Sequence, residues 1–177
     1  MQLDYLKITN DDVEELALWL AGDSWPFHGY SRPDPEKIRQ SFAEGYYTGP
    51  EVETYWILGH QEKLGMIRIF DLEDPTPMFD LRVRSQSRGM GIGSAALRWL
   101  TDHVFNSFPD KIRIEGHTRC DNIGMRRTFL KCGYVLEARH RSCWRSENGR
   151  FLDSVGYGIT RHDWETGTIT PVEWDGE

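Results

Sequence analysis

The sequence predicts an α/β (α+β) fold: a mixed, mostly antiparallel sheet of about seven strands with helices on both faces. Three observations carry this expectation. Apolar runs of strand length recur along the whole chain and pair into hairpins towards both ends. A strand, a helix and a second strand follow one another in the middle, and so long a helical crossover requires the two strands to be parallel. At 177 residues, 38% of them hydrophobic, the chain has one domain's length and enough apolar material for its core.

The elements follow in order. DYLKI (4–8) reads as a short strand. Thr9 or Asn10 then caps a helix with Asp11 and Asp12 in its first turn, Val13, Leu16 and Leu20 on one face, and Gly22 at its end. A loop rich in aromatic residues, glycine and proline, SWPFHGYSRPDP, leads to Asp34-Pro35, which opens a second helix running to about Tyr46. TYWILGH (54–60) and LGMIRIF (64–70) form a hairpin, and DPTP breaks the chain. MFDLRV (78–83) alternates Phe79, Leu81 and Val83 with Asp80 and Arg82, the period of a half-buried strand.

RSQSRGMGIGS then enters a helix reaching to about Asn106, with Ala96, Leu97, Leu100 and Val104 as its apolar stripe. KIRIEGH (111–117) is a strand. Asp121 or Asn122 caps a helix that runs to Cys132 and stops at Gly133. A last hairpin joins 134–144 to 150–160 through SENG. One domain therefore spans residues 1–164, followed by an acidic tail over 165–177.

Bulk properties exclude several classes. A net charge of −7 argues against a general nucleic-acid binder, which is normally basic. No apolar run approaches the ~20 residues needed to cross a bilayer, and the N-terminus lacks a signal-peptide pattern, so no membrane partner is expected and the cytoplasm is the expected address. Three cysteines, odd and sparse, are not a disulfide framework. His117-x-x-Cys120 and His140-x-x-Cys143 imitate paired metal ligands, but the second lies in a strand, where positions i and i+3 face opposite sides. No further ligand pair has zinc-site spacing, so no metal is expected.

Gly89, Gly91 and Gly93 stand directly before a helix, where unpaired N–H groups and a partial positive charge suit a phosphate. Arg84 and Arg88 add charge beside them. A Walker-type site fails, since no lysine precedes Ser94. A dinucleotide turn would use Glu115 as its downstream acid. It fails on the Gly-x-Gly-x-Gly spacing and on the five residues, Arg84 to Arg88, between strand and first glycine.

The motif Arg88-Gly-Met-Gly91-Ile-Gly93 fits a (Gln/Arg)-x-x-Gly-x-(Gly/Ala) signature. One helix and one strand later, Asn122-Ile-Gly-Met-Arg-Arg-Thr-Phe129-Leu-Lys-Cys-Gly133-Tyr134 is similar to an Asn-x-x-Ala…Tyr-x-Lys-x-Gly-Phe segment. Together these resemble the GNAT superfamily of acetyl-CoA-dependent N-acetyltransferases, over Leu3 to Thr160. Glu137-Ala-Arg-His-Arg141, Gly149 and Asp153 resemble the branch containing ribosomal-protein N-terminal acetyltransferases. The resemblance implies a GNAT-like fold with a central β-α-β coenzyme A site, acetyl-CoA as co-substrate, and an amine of a protein N-terminus or a small molecule as acceptor. The chain is then a monomer or a homodimer. A coenzyme A-binding module without catalysis is the alternative.

It also implies roles. The backbone N–H groups of Arg88, Gly89, Met90, Gly91, Ile92, Gly93 and Ser94 cradle the pyrophosphate. The main chain of Leu81, Arg82 and Val83 pairs with the pantetheine arm, which lies between two splayed strands, and Asn122 hydrogen-bonds that arm. One of Arg126, Arg127 and Lys131 meets a nucleotide phosphate, with Arg126 assigned to the site. The backbone N–H near Val83 serves the developing oxyanion. Glu115 and Asp80, on strands bordering the cleft, are the candidate general bases, acting directly or through water. The sequence departs from the pattern at Phe129, where many members carry an acidic tyrosine. The thiolate then leaves unassisted, or another group protonates it, Tyr134 being the weak candidate. Trp25, Phe27, His28, Tyr30 and Trp144 are expected to wall the acceptor site.

Overall fold

The computed structural model describes residues 2–174. Seven strands form one sheet: β1 (Asp4–Lys7), β2 (Glu53–Gly59), β3 (Glu62–Phe70), β4 (Met78–Val83), β5 (Arg113–Arg119), β6 (Val135–Arg145) and β7 (Phe151–Thr160). They lie in the order β1-β2-β3-β4-β5-β7-β6. Every neighbouring pair is antiparallel except β4 with β5, which is parallel, as the strand–helix–strand unit requires.

Alternation along the strands makes two cores. Trp56 of β2 and Met66 of β3 pack with α1 (Val13–Ala21) and α2 (Pro35–Ala43) on one face. Their chain neighbours Ile57 and Ile67 pack on the other with α3 (Ile92–Ser107), and Phe129 of α4 (Ile123–Lys131) joins that core. Each such side chain, taken fully out of water, contributes roughly 1.5–3 kcal/mol. Helices therefore cover both faces, in agreement with the fold class expected.

Local chemistry sets the boundaries. Thr9 and Asp12 form a capping box, but the first turn it closes, Asn10–Asp12, is 3-10 and only then becomes α1. Asp34 accepts from Glu36 N–H with Pro35 at the first helical position. α2 ends at Ala43 rather than Tyr46, because Gly45 takes φ +80°. A further helix, α5 (Arg161–Thr166), crosses the boundary expected at 164/165. Gly167 closes it at φ +68°, and the hydroxyls of Thr168 and Thr170 donate to Asp163. The expected tail is thus tied down at its start; residues 175–177 lie outside the described residues.

β6 is interrupted. Its register shifts between His140 and Trp144, with Ser142 at φ +51°. The regular strand assumed for His140 and Cys143 is therefore absent, and Cys143 Sγ lies 3.5 Å from the His140 carbonyl. Among the described residues no three His, Cys, Asp or Glu side chains cluster as a metal site, and no helix is long and apolar enough to cross a membrane.

The feature that positions the site is a fork. β4 and β5 share one register pair, Met78 with Glu115, where Glu115 N–H donates to the Pro77 carbonyl at 3.1 Å. Beyond it the strands diverge. Arg84 N–H donates to Leu64 on the β3 side at 2.8 Å. Alternation in the antiparallel ladder then turns the backbone polar groups of Leu81 and Val83 into the gap.

The opposite end of the sheet is held by Glu53, which takes hydrogen bonds from Lys7 (2.6 Å), His103 (2.8 Å) and Tyr55 (2.9 Å). The His103 bond, with help from Lys7 and Tyr55 and against burial, brings its carboxyl from 4.5 down to about 2. A depressed carboxyl stabilises the fold above its unfolded pKa and loses that contribution as pH falls towards the folded value. Glu53→Gln is therefore expected to cost roughly 1–2 kcal/mol at pH 7 and to flatten the stability loss between about pH 4.5 and 2, read from urea midpoints.

Candidate active site

Between the fork and helices α3 and α4 lies a cleft of about 390 Å³. One end is a cradle of backbone. Gly89 and Gly91 take φ +79° and +83°, a left-handed conformation that other residues rarely adopt, with open space where a Cβ would stand. Gly93 needs no such conformation and faces Thr128 across the cleft at ordinary distance. Among the described residues, no acceptor engages the N–H groups of Gly89 through Ser94. Six successive free donors at a helix N-terminus bind an oxyanion by geometry and dipole together.

Side chains add charge selectively. Arg88 lines the cleft while donating to the carbonyls of Val83 (3.0 Å) and Ser24 (2.6 Å). Of the three α4 cations, Arg127 and Lys131 line the cleft. Arg126 does not: it turns inward and donates to the Cys120 carbonyl at 2.9 Å and to Tyr157 Oη at 3.3 Å. That corrects the assignment of Arg126, and its cause is the 100° helical step between neighbours. Met90 points outward and Ile92 into the core, leaving each only its backbone N–H for the cradle. Arg82 faces the other side of the sheet. Asn122 caps α4 by accepting from Met125 N–H (3.2 Å) and donates to Thr118 Oγ1 (2.9 Å).

A second cavity, about 310 Å³, continues through the fork to the α1/α2 face. The two cavities share Phe27, His28, Leu81, Asn122 and Met125 as walls. Asp80 lines the second one. Its Oδ1 lies 3.0 Å from His28 Nε2, and its Oδ2 takes the Arg82 guanidinium at 2.9 Å. Burial opposes its ionisation, but the charge of Arg82 and the contact with His28 outweigh it and hold the carboxyl far below the usual range. With its Nε2–H donating to Asp80, His28 keeps its lone pair on Nδ1, a buried atom with no protein partner.

Glu115 is also paired with a histidine. His117 and Arg113 hold its two oxygens, and these contacts overcome burial to lower its carboxyl. Glu115 itself lines neither cavity, whereas His117 lines the second. Phe129 also lines the second cavity, stacked on Tyr157 with ring centroids 4.5 Å apart. Tyr134 lines neither: its hydroxyl is buried against Thr101 at 2.9 Å, and burial pushes its pKa up. Of the expected acceptor wall, Phe27, His28 and Trp144 line the second cavity, Trp25 lines the first, and Tyr30 is exposed outside both.

Residues 3–135 match the family profile described as an acetyltransferase (GNAT) domain. The chain belongs to the GNAT acetyltransferase family. No curated protein matches it in sequence. Solved structures share its fold. A probable acetyltransferase is 18% identical, covering 92% of this chain and 94% of its own, at a TM-score of 0.76. RimL, a ribosomal L7/L12 α-N-protein acetyltransferase in complex with coenzyme A, is 18% identical over 90% of this chain and 94% of its own, at 0.78. The spermidine/spermine N-acetyltransferase SpeG from Vibrio cholerae is 14% identical over 94% and 96%, at 0.75.

This GNAT chain is an acyltransferase that uses acetyl-CoA as its acetyl donor. The first cleft fits that co-substrate: free N–H groups and two cations stand at one end for phosphates, and at the other the edge of β4, where the Arg88 side chain takes the Val83 carbonyl and the main chain of Leu81 faces the gap, stands for an amide-bearing arm. Two residues escaped sequence reasoning. His28 registered only as an aromatic wall, because nothing in the sequence tied it to Asp80. Arg68, which lines the second cavity, was lost inside an apolar run.

Proposed function

We propose that the chain moves an acetyl group from acetyl-CoA to a primary amine, on a peptide N-terminus or a small molecule, by direct attack, with His28 as general base. The observation that carries this reading is His28 at the junction of the two cavities, its Nε2 tied to Asp80 and its Nδ1 without a partner. Acetyl-CoA supplies the activated thioester. The N–H groups of Gly89 to Ser94 hold the pyrophosphate, Arg127 or Lys131 holds a nucleotide phosphate, and the main chain of Leu81 pairs with the pantetheine arm as a strand would, the Val83 carbonyl being held by Arg88.

An alkylammonium has a pKa of about 10.4, so the amine must lose a proton before it attacks. The His28 imidazole takes that proton; its Nδ1 is buried in this structure, so the transfer requires the ring to turn toward the cavity. Asp80 fixes the tautomer and steadies the imidazolium, the part of a positioning residue. Glu115 plays the same part for His117, further from the junction. The Val83 N–H receives the charge that grows on the carbonyl oxygen. With phenylalanine at 129, the thiolate leaves without an acid, as a thiol pKa of about 8.5 permits, and the proton left on the nitrogen after attack passes to it. Three unpaired cysteines suit the cytoplasm as the working compartment.

Thiol release from acetyl-CoA across a panel of amines tests the reading. Amine-dependent release is expected. Tight coenzyme A binding without release on any amine would instead favour a non-catalytic binding module.

A further inference from the structure

The geometry points to an acceptor amine that carries a carboxylate, recognised in the second cavity by Arg68; this rests on the transferase reading above. Arg68 is 7% exposed, yet among the described residues no carboxylate lies within 4.0 Å of it. Its guanidinium carbon lies over two rings, 3.5 Å from the Tyr46 centroid and 4.3 Å from that of Phe70. Its Nε donates to the Tyr46 carbonyl at 2.6 Å. Neither terminal nitrogen has a protein partner, and neither is sealed from solvent.

Burying an arginine without a counter-ion is costly unless something else supplies the anion. The carboxylate closest in register is Asp80, directly across the β3–β4 ladder. Asp80 is committed elsewhere, to Arg82 and His28. Among the described residues, Asp80 is also the only acid in the cavity walls, so two arginines face one carboxylate and one cation is left over.

The orientation of Arg68 selects the ligand. With Nε occupied and the guanidinium carbon against two rings, the two terminal nitrogens are left as a fork, which matches the two oxygens of a carboxylate. Because Arg68 and Asp80 are cross-strand neighbours, and Asp80 holds His28, an acceptor anchored at the fork keeps its amine within a few bonds of the base. A short amino-carboxylate meets both demands in a cavity of about 310 Å³. A polyamine does not, since the walls offer no free carboxylate to a second ammonium.

The test compares matched pairs, each an amino acid and the amine lacking its carboxylate. Spermidine, an aminoalkyl phosphate and a short peptide with an acidic second residue are run alongside. In the unaltered protein kcat/KM for the carboxylate member is expected to exceed its pair by about tenfold or more. Arg68→Met, which keeps length and apolar packing, should bring that ratio close to 1. Arg68→Lys, which keeps charge without the fork, should fall between.

A ratio unmoved in Arg68→Met would overturn the inference, as would a preference for spermidine. Faster transfer to the phosphate, or transfer to the peptide alone, would overturn the amino-carboxylate assignment. If no amine is acetylated, the transferase reading fails. Quenching of tryptophan fluorescence, with coenzyme A bound, then decides the inference separately: carboxylate members must bind the unaltered protein at least about tenfold more tightly than Arg68→Met.

Discussion

His28→Gln is expected to lower turnover by about 10²–10⁴-fold, while KM for acetyl-CoA stays within about threefold. Glutamine can still donate to Asp80, so the variant removes the basic lone pair with little disturbance of the wall. Asp80→Asn should cost less, about tenfold or more, because the imidazole remains but loses the partner that fixes its tautomer. The pH–rate profile separates these roles. Asp80, held far below the usual carboxylate range by Arg82 and His28 against burial, stays ionised at working pH. Comparing the profiles of the unaltered protein and of His28→Gln therefore reads the part of His28 without a contribution from Asp80. Full activity in His28→Gln combined with a large loss in Glu115→Gln would transfer the base to the Glu115–His117 pair.

The second large effect is on stability. Gly116 sits on β5 beside the fork, where a Cβ would lie 2.7 Å from Phe129 and 2.8 Å from Phe79. Those rings occupy the space a side chain would need. Gly116→Val should cost about 3 kcal/mol, by forcing both rings off their packing. Denaturant unfolding measures the loss. Combining it with Phe129→Leu, which vacates part of the space, should recover about 1 kcal/mol or more as a coupling energy. Simple additivity of the two changes would show that the ring contact is not the cause.

All seven strands and four of the five helices were legible in the sequence, because each carries a long enough apolar period or a clear cap. α5 was not, since Arg161–Thr166 is too short for periodicity and its cap, Thr160, reads as the end of a strand. The glycine cradle was legible because backbone conformation is written into glycine itself. Choosing among Arg126, Arg127 and Lys131 was not, because helical phase depends on how α4 sits against the sheet. The proposed base was hidden for a similar reason. His28 and Asp80 stand on a loop and a strand far apart in the chain, and only the fold brings them to 3.0 Å. Arg68 lay hidden because a cation flanked by isoleucines looks like a solvent-facing interruption, whereas two aromatic rings enclose it.

The fork between β4 and β5 has a mechanical consequence. The sheet is two half-sheets, β1 to β4 and β5 to β7, joined across the seam by one register pair. A pantetheine arm lying in that gap beside Leu81, as proposed, would serve as the missing strand, and the donor would then also be a structural member of the fold. A ligand bound only by the folded state stabilises it by RT ln(1 + [L]/Kd), about 2.7 kcal/mol at a hundredfold excess over Kd. Coenzyme A bound as proposed is therefore expected to raise the thermal midpoint of the protein with its concentration.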